Sequence, residues 1–173
     1  MTKKQQDIFN TALELFAKDG VDATSTSKIA KVAGVSEGLI FRHFTNKEGL
    51  LQAILANGQE RIDEYFQSVI IVKNPKERLL MALHLPFVIP SNEYDFWRLV
   101  YTLKWQRGPL AHEGMDLFRA SLTEAFHLLE YKNPSAEARL VEAIIDGIAT
   151  EVLLKDINPK PLLDCILDKY KLK

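Results

Sequence analysis

A chain of 173 residues with 47% hydrophobic residues can bury one substantial core, or a small module joined to a larger one. Its formal net charge of −1 excludes a general electrostatic attraction to nucleic acid, so any DNA contact must come from a few placed charges. The single cysteine excludes an internal disulfide and a multi-cysteine zinc site, and no apolar run approaches the ~18 residues of a membrane span.

These bounds lead us to expect a cytoplasmic protein with no membrane contact, no metal site and no cofactor. Charge is nearly even along the chain: residues 1–50 hold seven Lys/Arg against six Asp/Glu.

Helical periodicity dominates, without strand alternation or hairpin signals, and predicts an all-α fold. From Gln5 to Lys18 an apolar stripe of Ile8, Phe9, Ala12, Leu15 and Phe16 marks a first helix, with Gly20 as its C-cap. The hydroxyl-rich run Ala23–Ser27 starts a second helix over Lys28–Ala33, which Gly34 ends. Ser36 caps a third over Glu37–Phe44, and Thr45-Asn46 starts a long helix over Lys47–Val72.

All seven prolines follow residue 74. Three stand in Asn-Pro pairs, where Asn caps and Pro takes the first helical position. With Gly108-Pro109 as a further start, the remainder reads as five helices, 75–89, 91–106, 109–131, 134–156 and 159–171. Pro86 should end or kink the first of them. Two domains are expected: 1–47, and a helical bundle over 48–173.

The interruption at Gly34-Val35-Ser36 suits a helix-turn-helix, in which two helices cross steeply around a short turn. The crossing needs a small residue in the first helix, and Ala30 supplies it. Gly34 supplies the positive-φ turn residue, Val35 the apolar plug, and Ile40 the inward contact of the second helix. Ile29, Ala33 and Phe44 complete the small core.

Ile40 and Phe44 turn one face of the 37–44 helix inward. The other face carries Gly38 and Arg42, with Leu39 beside them and Glu37 at the N-terminal end, the end that enters the major groove in this motif. Gly38 permits close backbone approach. Arg42 suits guanine, Leu39 a thymine methyl, and Glu37 a cytosine amino group. An ordinary solvated helix face is the alternative.

Lys47 opposes the dipole of the long helix unless an anion lies nearby, and a DNA phosphate would supply one. Thr24, Ser25 and Thr26 place hydroxyls and free amides at another helix start, a second phosphate seat or plain capping.

Residues 5–51, with "ALELFAKDG", "TSTSKIAKVAGVSEG" and "FRHFTNKEGL", resemble the DNA-binding domain of the TetR family of transcriptional regulators. The resemblance implies that Phe41, His43 and Lys47 stand where the family contacts phosphates; Ser36, at the start of the same helix, is a further DNA-binding candidate. Phe41 departs from the usual Tyr: the ring is kept and the hydroxyl is lost.

The resemblance further implies that the last two helices form a four-helix interface in a homodimer. Their apolar repeats supply Val141, Ile144, Ile148 and Val152, then Leu163, Ile166 and Leu167; intramolecular core is the alternative for each. Cys165, among Leu162, Leu163, Ile166 and Leu167, reads as a buried small hydrophobe.

A ligand pocket is expected in the aromatic-rich middle, with His84, Phe87, Trp97, Tyr101, Trp105, Met115 and Phe118 as candidates for an apolar or aromatic small molecule.

No phosphate loop, G-x-S-x-G or H-E-x-x-H pattern is present, so no enzyme is expected; His112-Glu113 begins like the last, but Asp116 replaces its second His. The resulting expectation is a sequence-specific regulator of double-stranded DNA. It would act on an inverted-repeat operator, as a repressor released by a small-molecule inducer. The alternative is a helical ligand-binding or protein-interaction dimer with a vestigial DNA-binding module.

Overall fold

The computed structural model describes residues 1–107, 113–155, 158 and 160–172, and every regular element among them is helical. Helix α1 (Lys3–Asp19) starts at a capping box, with Thr2 Oγ1 accepting from Gln5 N and Thr2 N donating to Gln5 Oε1. Gly20, at φ 86°, closes it by donating to the Phe16 carbonyl.

Helix α2 (Thr26–Ala33) is capped by Ser25, whose hydroxyl accepts from Lys28 N. Gly34 ends it at φ 66°, ψ 34°, a conformation that costs a residue with a Cβ ~1–2 kcal/mol. Helix α3 (Glu37–Phe44) follows at once. Ser36 holds the N-cap backbone geometry, but its hydroxyl makes no capping bond, contrary to its expected role.

At the next corner Asn46 N donates to the Phe44 carbonyl across Thr45, a tight three-residue turn with Thr45 at φ 69°, ψ −50°. Asn46 Oδ1 then accepts from Gly49 N and starts α4 (Lys47–Ile70), a rod of roughly 36 Å at 1.5 Å per residue.

Asn74 and Pro75 open α5 (Pro75–His84) as the sequence predicts. Pro86 stops it: α5 ends at His84 and the chain passes into a 3-10 turn, Leu85–Phe87. Helices α6 (Tyr94–Arg107), α7 (Glu113–Leu128), α8 (Pro134–Leu154) and α9 (Lys160–Lys169) follow. The expected start at Gly108-Pro109, and Pro159 at the start of α9, lie outside the described residues, as does His112.

The helices sort into two compact units. One comprises Met1–Glu60 with α6, and its core holds Ile8, Phe16, Ile29, Ile40 and Leu50, all shielded from solvent. Here α6 packs along α1, so this unit extends beyond the 1–47 segment expected from sequence. Gly58 of α4 meets the buried Phe96 ring of α6, which leaves no room for a Cβ.

The other unit comprises Arg61–Ser91 with α7, α8 and α9. Its core gathers Leu79, Leu83, Leu122, Phe126, Val141 and Tyr170. Arg78 is buried there and held by three hydrogen bonds: Nε donates to the Val72 carbonyl, and Nη1 to the Ser121 carbonyl and to Glu124.

Candidate nucleic-acid interface

The α2–α3 corner has the geometry its sequence requires. Ala30 and Ile40 are buried against each other's helices, Val35 N donates to the Ala30 carbonyl, and Gly34 takes the left-handed turn. With Ile40 inward, α3 turns Gly38, Phe41 and Arg42 to solvent and leaves Leu39 half-buried. Nothing lies within 4 Å of a Cβ built at Gly38. Arg42 makes no hydrogen bond or ion pair among the described residues. Phe41 is 47% exposed, a large apolar surface on a helix with only eight residues.

Other expected contacts are committed within the protein. Thr24 is fully buried, and its hydroxyl donates to the Gly20 and Leu15 carbonyls. It belongs to the core beneath α1 and α2, so its assignment to the DNA face is corrected. Ser25 is exposed at the start of α2 and spends its acceptor on capping. Thr26 Oγ1 donates to Glu37 Oε1 at 2.6 Å, which ties the start of α3 to the start of α2.

Lys47 is half-buried, and its Nζ donates to the Val21 carbonyl at 2.8 Å. That carbonyl supplies the negative partner which the dipole of α4 withholds, and it leaves two of the three ammonium protons for another acceptor. His43 is half-buried, with Nδ1 3.1 Å from Gln5 Nε2. Lys28 pairs with Asp19 at 2.8 Å and holds that carboxyl below its usual range.

This corner is the part of the chain that matches the bacterial regulatory proteins, tetR family, over residues 8–54. Residues 8–54 thus carry a DNA-binding domain of the TetR type. It is 45% identical over 56 residues to the uncharacterized HTH-type transcriptional regulator YvkB of Bacillus subtilis, covering 32% of this chain and 30% of that protein. It is 33% identical over 79 residues to the HTH-type transcriptional regulator SrpR of Pseudomonas putida, covering 46% and 37%. The chain thus spans about a third of the length of these two curated relatives.

The fold extends further. The crystal structure of AibR in complex with isovaleryl coenzyme A and operator DNA superposes with a TM-score of 0.70 at 20% identity, over 95% of this chain and 96% of that one.

The residues expected to line a ligand site are divided between the units. Trp97, Tyr101 and Trp105 lie on α6; Trp97 Nε1 donates to Glu93, Lys104 lies over the Tyr101 ring, and Trp105 is 61% exposed. In the other unit, His84 Nδ1 bonds the Leu80 carbonyl and its ring lies 6.3 Å from that of Phe87, while Met115 is half-buried. Phe118 is buried in the core of that unit and stacks on Phe66 at 5.0 Å.

Of the expected dimer residues, two turn into the core of their own unit. Val141 and Ile148 are buried within their own unit, and Ile144, Ile166 and Leu167 pack against its core. Val152 and Leu163 are half-buried. The outward stripe of α8 runs one residue away: Ala136, Leu140, Ala143, Gly147 and Leu154, at three- and four-residue steps apart from one gap, are all exposed. On α9, Leu162 and Cys165 are exposed, so Cys165 is not the buried hydrophobe its neighbours suggested.

Among the described residues, no helix is long and apolar enough to cross a membrane, and no group of His, Cys, Asp or Glu could hold a metal ion.

Proposed function

We propose that the protein is a sequence-specific DNA-binding regulator. It acts in the cytoplasm as a homodimeric repressor, released from an inverted-repeat operator by a small apolar or aromatic ligand, and performs no catalysis. The observation that carries this reading is the outward face of α3. Gly38 has open space in front of it, and Arg42 is uncommitted beside the exposed Phe41 ring.

Arg42 has the donor fork for guanine O6 and N7. Lys47 holds two protons in reserve beside the same corner, and the exposed ring of Phe41 packs on sugar and base edges where a tyrosine would add a phosphate bond. Thr26 holds the carboxylate of Glu37 in place for a cytosine amino group.

One helix of eight residues reads few bases, whereas two related by a twofold axis read half-sites about 34–36 Å apart or a multiple of that. The outward stripe of α8, with small residues at 136, 143 and 147, suits close approach of a second copy. A ligand that prefers one tilt of α4 would change the spacing of the two recognition helices; equal affinity for both states would shift nothing.

The test is titration of a DNA duplex at several salt concentrations. Affinity should fall with a slope near −0.9 per phosphate contact. Lys47→Ala should flatten that slope by about one, and Arg42→Ala should cost ~1–3 kcal/mol at a single base pair. Wild-type behaviour of both variants would overturn the site assignment.

A further inference from the structure

The amide of Gln5 lies between a backbone donor and a histidine ring. Thr2 N donates to Gln5 Oε1 at 2.7 Å. A backbone N–H offers only a proton, so the amide oxygen must face Thr2 and the NH2 group must face the other way. That nitrogen lies 3.1 Å from Nδ1 of His43. Since NH2 can only donate, Nδ1 must be bare, and the proton of the neutral imidazole must sit on Nε2. Turning the ring over would bring a C–H edge to the amide and forfeit the bond. Nε2 makes no hydrogen bond among the described residues.

We propose that Gln5 is a positioning residue: it fixes both the ring orientation and the tautomer of His43, so that Nε2–H is held ready to donate to an operator phosphate. The capping box of α1 thereby does a second task. It pins the amide of Gln5, the amide pins the imidazole at the C-terminal end of α3, and the donor is aligned before DNA arrives. A pre-oriented donor loses less freedom on binding. The proposal rests on the operator-binding reading above.

Nitrogen NMR of the labelled full chain, well above the ordinary imidazole range of about pH 6.5, reads the ring directly. Nδ1 should be unprotonated, Nε2 protonated, and a scalar coupling should cross from Gln5 Nε2 to His43 Nδ1. A protonated Nδ1 in the neutral ring overturns the proposal. Gln5→Glu keeps a capping-box acceptor, yet its carboxylate can only accept, so Nδ1 should become protonated. A bare Nδ1 in that variant would show that the two side chains do not meet.

The functional arm measures affinity for a duplex recovered by selection from a random library. Gln5→Leu should weaken binding by about three- to tenfold, the range of one well-placed hydrogen bond. It should have no further effect in a His43→Ala background. An equal loss in both backgrounds would mean that Gln5 acts through α1 stability instead, and would overturn the proposal. No DNA binding by the wild type would remove the operator reading as well. Unchanged affinity in Gln5→Leu, with the ring as predicted, would remove the phosphate role alone.

Discussion

Gly38 separates folding from recognition at the scale of one residue. It lies in the first turn of α3, with nothing within 4 Å of where a Cβ would stand. Gly38→Ala should therefore raise the stability of the free protein by about 0.5–1 kcal/mol, measured by denaturant unfolding. The same methyl would meet DNA in the groove, and operator affinity should fall by roughly tenfold, or about 1.4 kcal/mol. A stabilised variant with undiminished affinity would move the interface off this face.

The outward placement of Gly38, Phe41 and Arg42 was legible in the sequence because Ile40 and Phe44 fix the helix phase from within the same eight residues. Thr24 was not. Hydroxyls before a helix look alike in sequence, and only the fold shows that this one turns back onto the Gly20 and Leu15 carbonyls while Ser25 takes the cap. Gln5 escaped notice for a related reason, since its partner lies 38 residues away.

At the scale of elements, helix boundaries were readable from caps and breakers, and faces were less so. Gly34, Asn74-Pro75 and Pro86 end or start helices through their own backbone chemistry, and the structure places those ends accordingly. Helix α8 is apolar on more than one side: Val141 and Ile148 enter the core, while Leu140 and Leu154 face out. Such a helix has no phase to read from hydrophobicity alone.

Helix α9 is held by Tyr170, whose ring is buried beside Phe126 and whose hydroxyl donates to Glu137. Burial, and then the Glu137 carboxylate, push the phenol up to about 12. The folded state thus retains a proton that the unfolded chain gives up near pH 10, so stability is present below about pH 10 and is lost as pH rises toward 12. Unfolding measured across that range should show an alkaline decline in the wild type, which Tyr170→Phe flattens. An equal decline in both would contradict burial of the hydroxyl.

For the whole molecule, the all-helical class and the DNA-binding module could be read from a corner of some twenty residues, because Ala30, Gly34, Val35 and Ile40 each answer a separate geometric demand. The division into units could not, because α6 joins the N-terminal helices through packing on α1 from 90 residues downstream.

The exposed α8 stripe sets the expectation for assembly. Leu140→Glu together with Leu154→Glu should give a folded monomer by sedimentation, since two like charges would face their twofold mates without a partner. DNA binding should then drop to the level of one half-site. A dimer that survives both charges would place the interface elsewhere.

The central claim is that two copies of α3 read an inverted repeat. Selection of bound duplexes from a random library by the purified chain, near physiological salt, tests it most directly. The account predicts enrichment of a twofold-symmetric site with half-sites about 34–36 Å or a multiple apart, lost with Arg42→Ala at one base pair in each half. No enrichment by a protein shown to be folded and dimeric would contradict it.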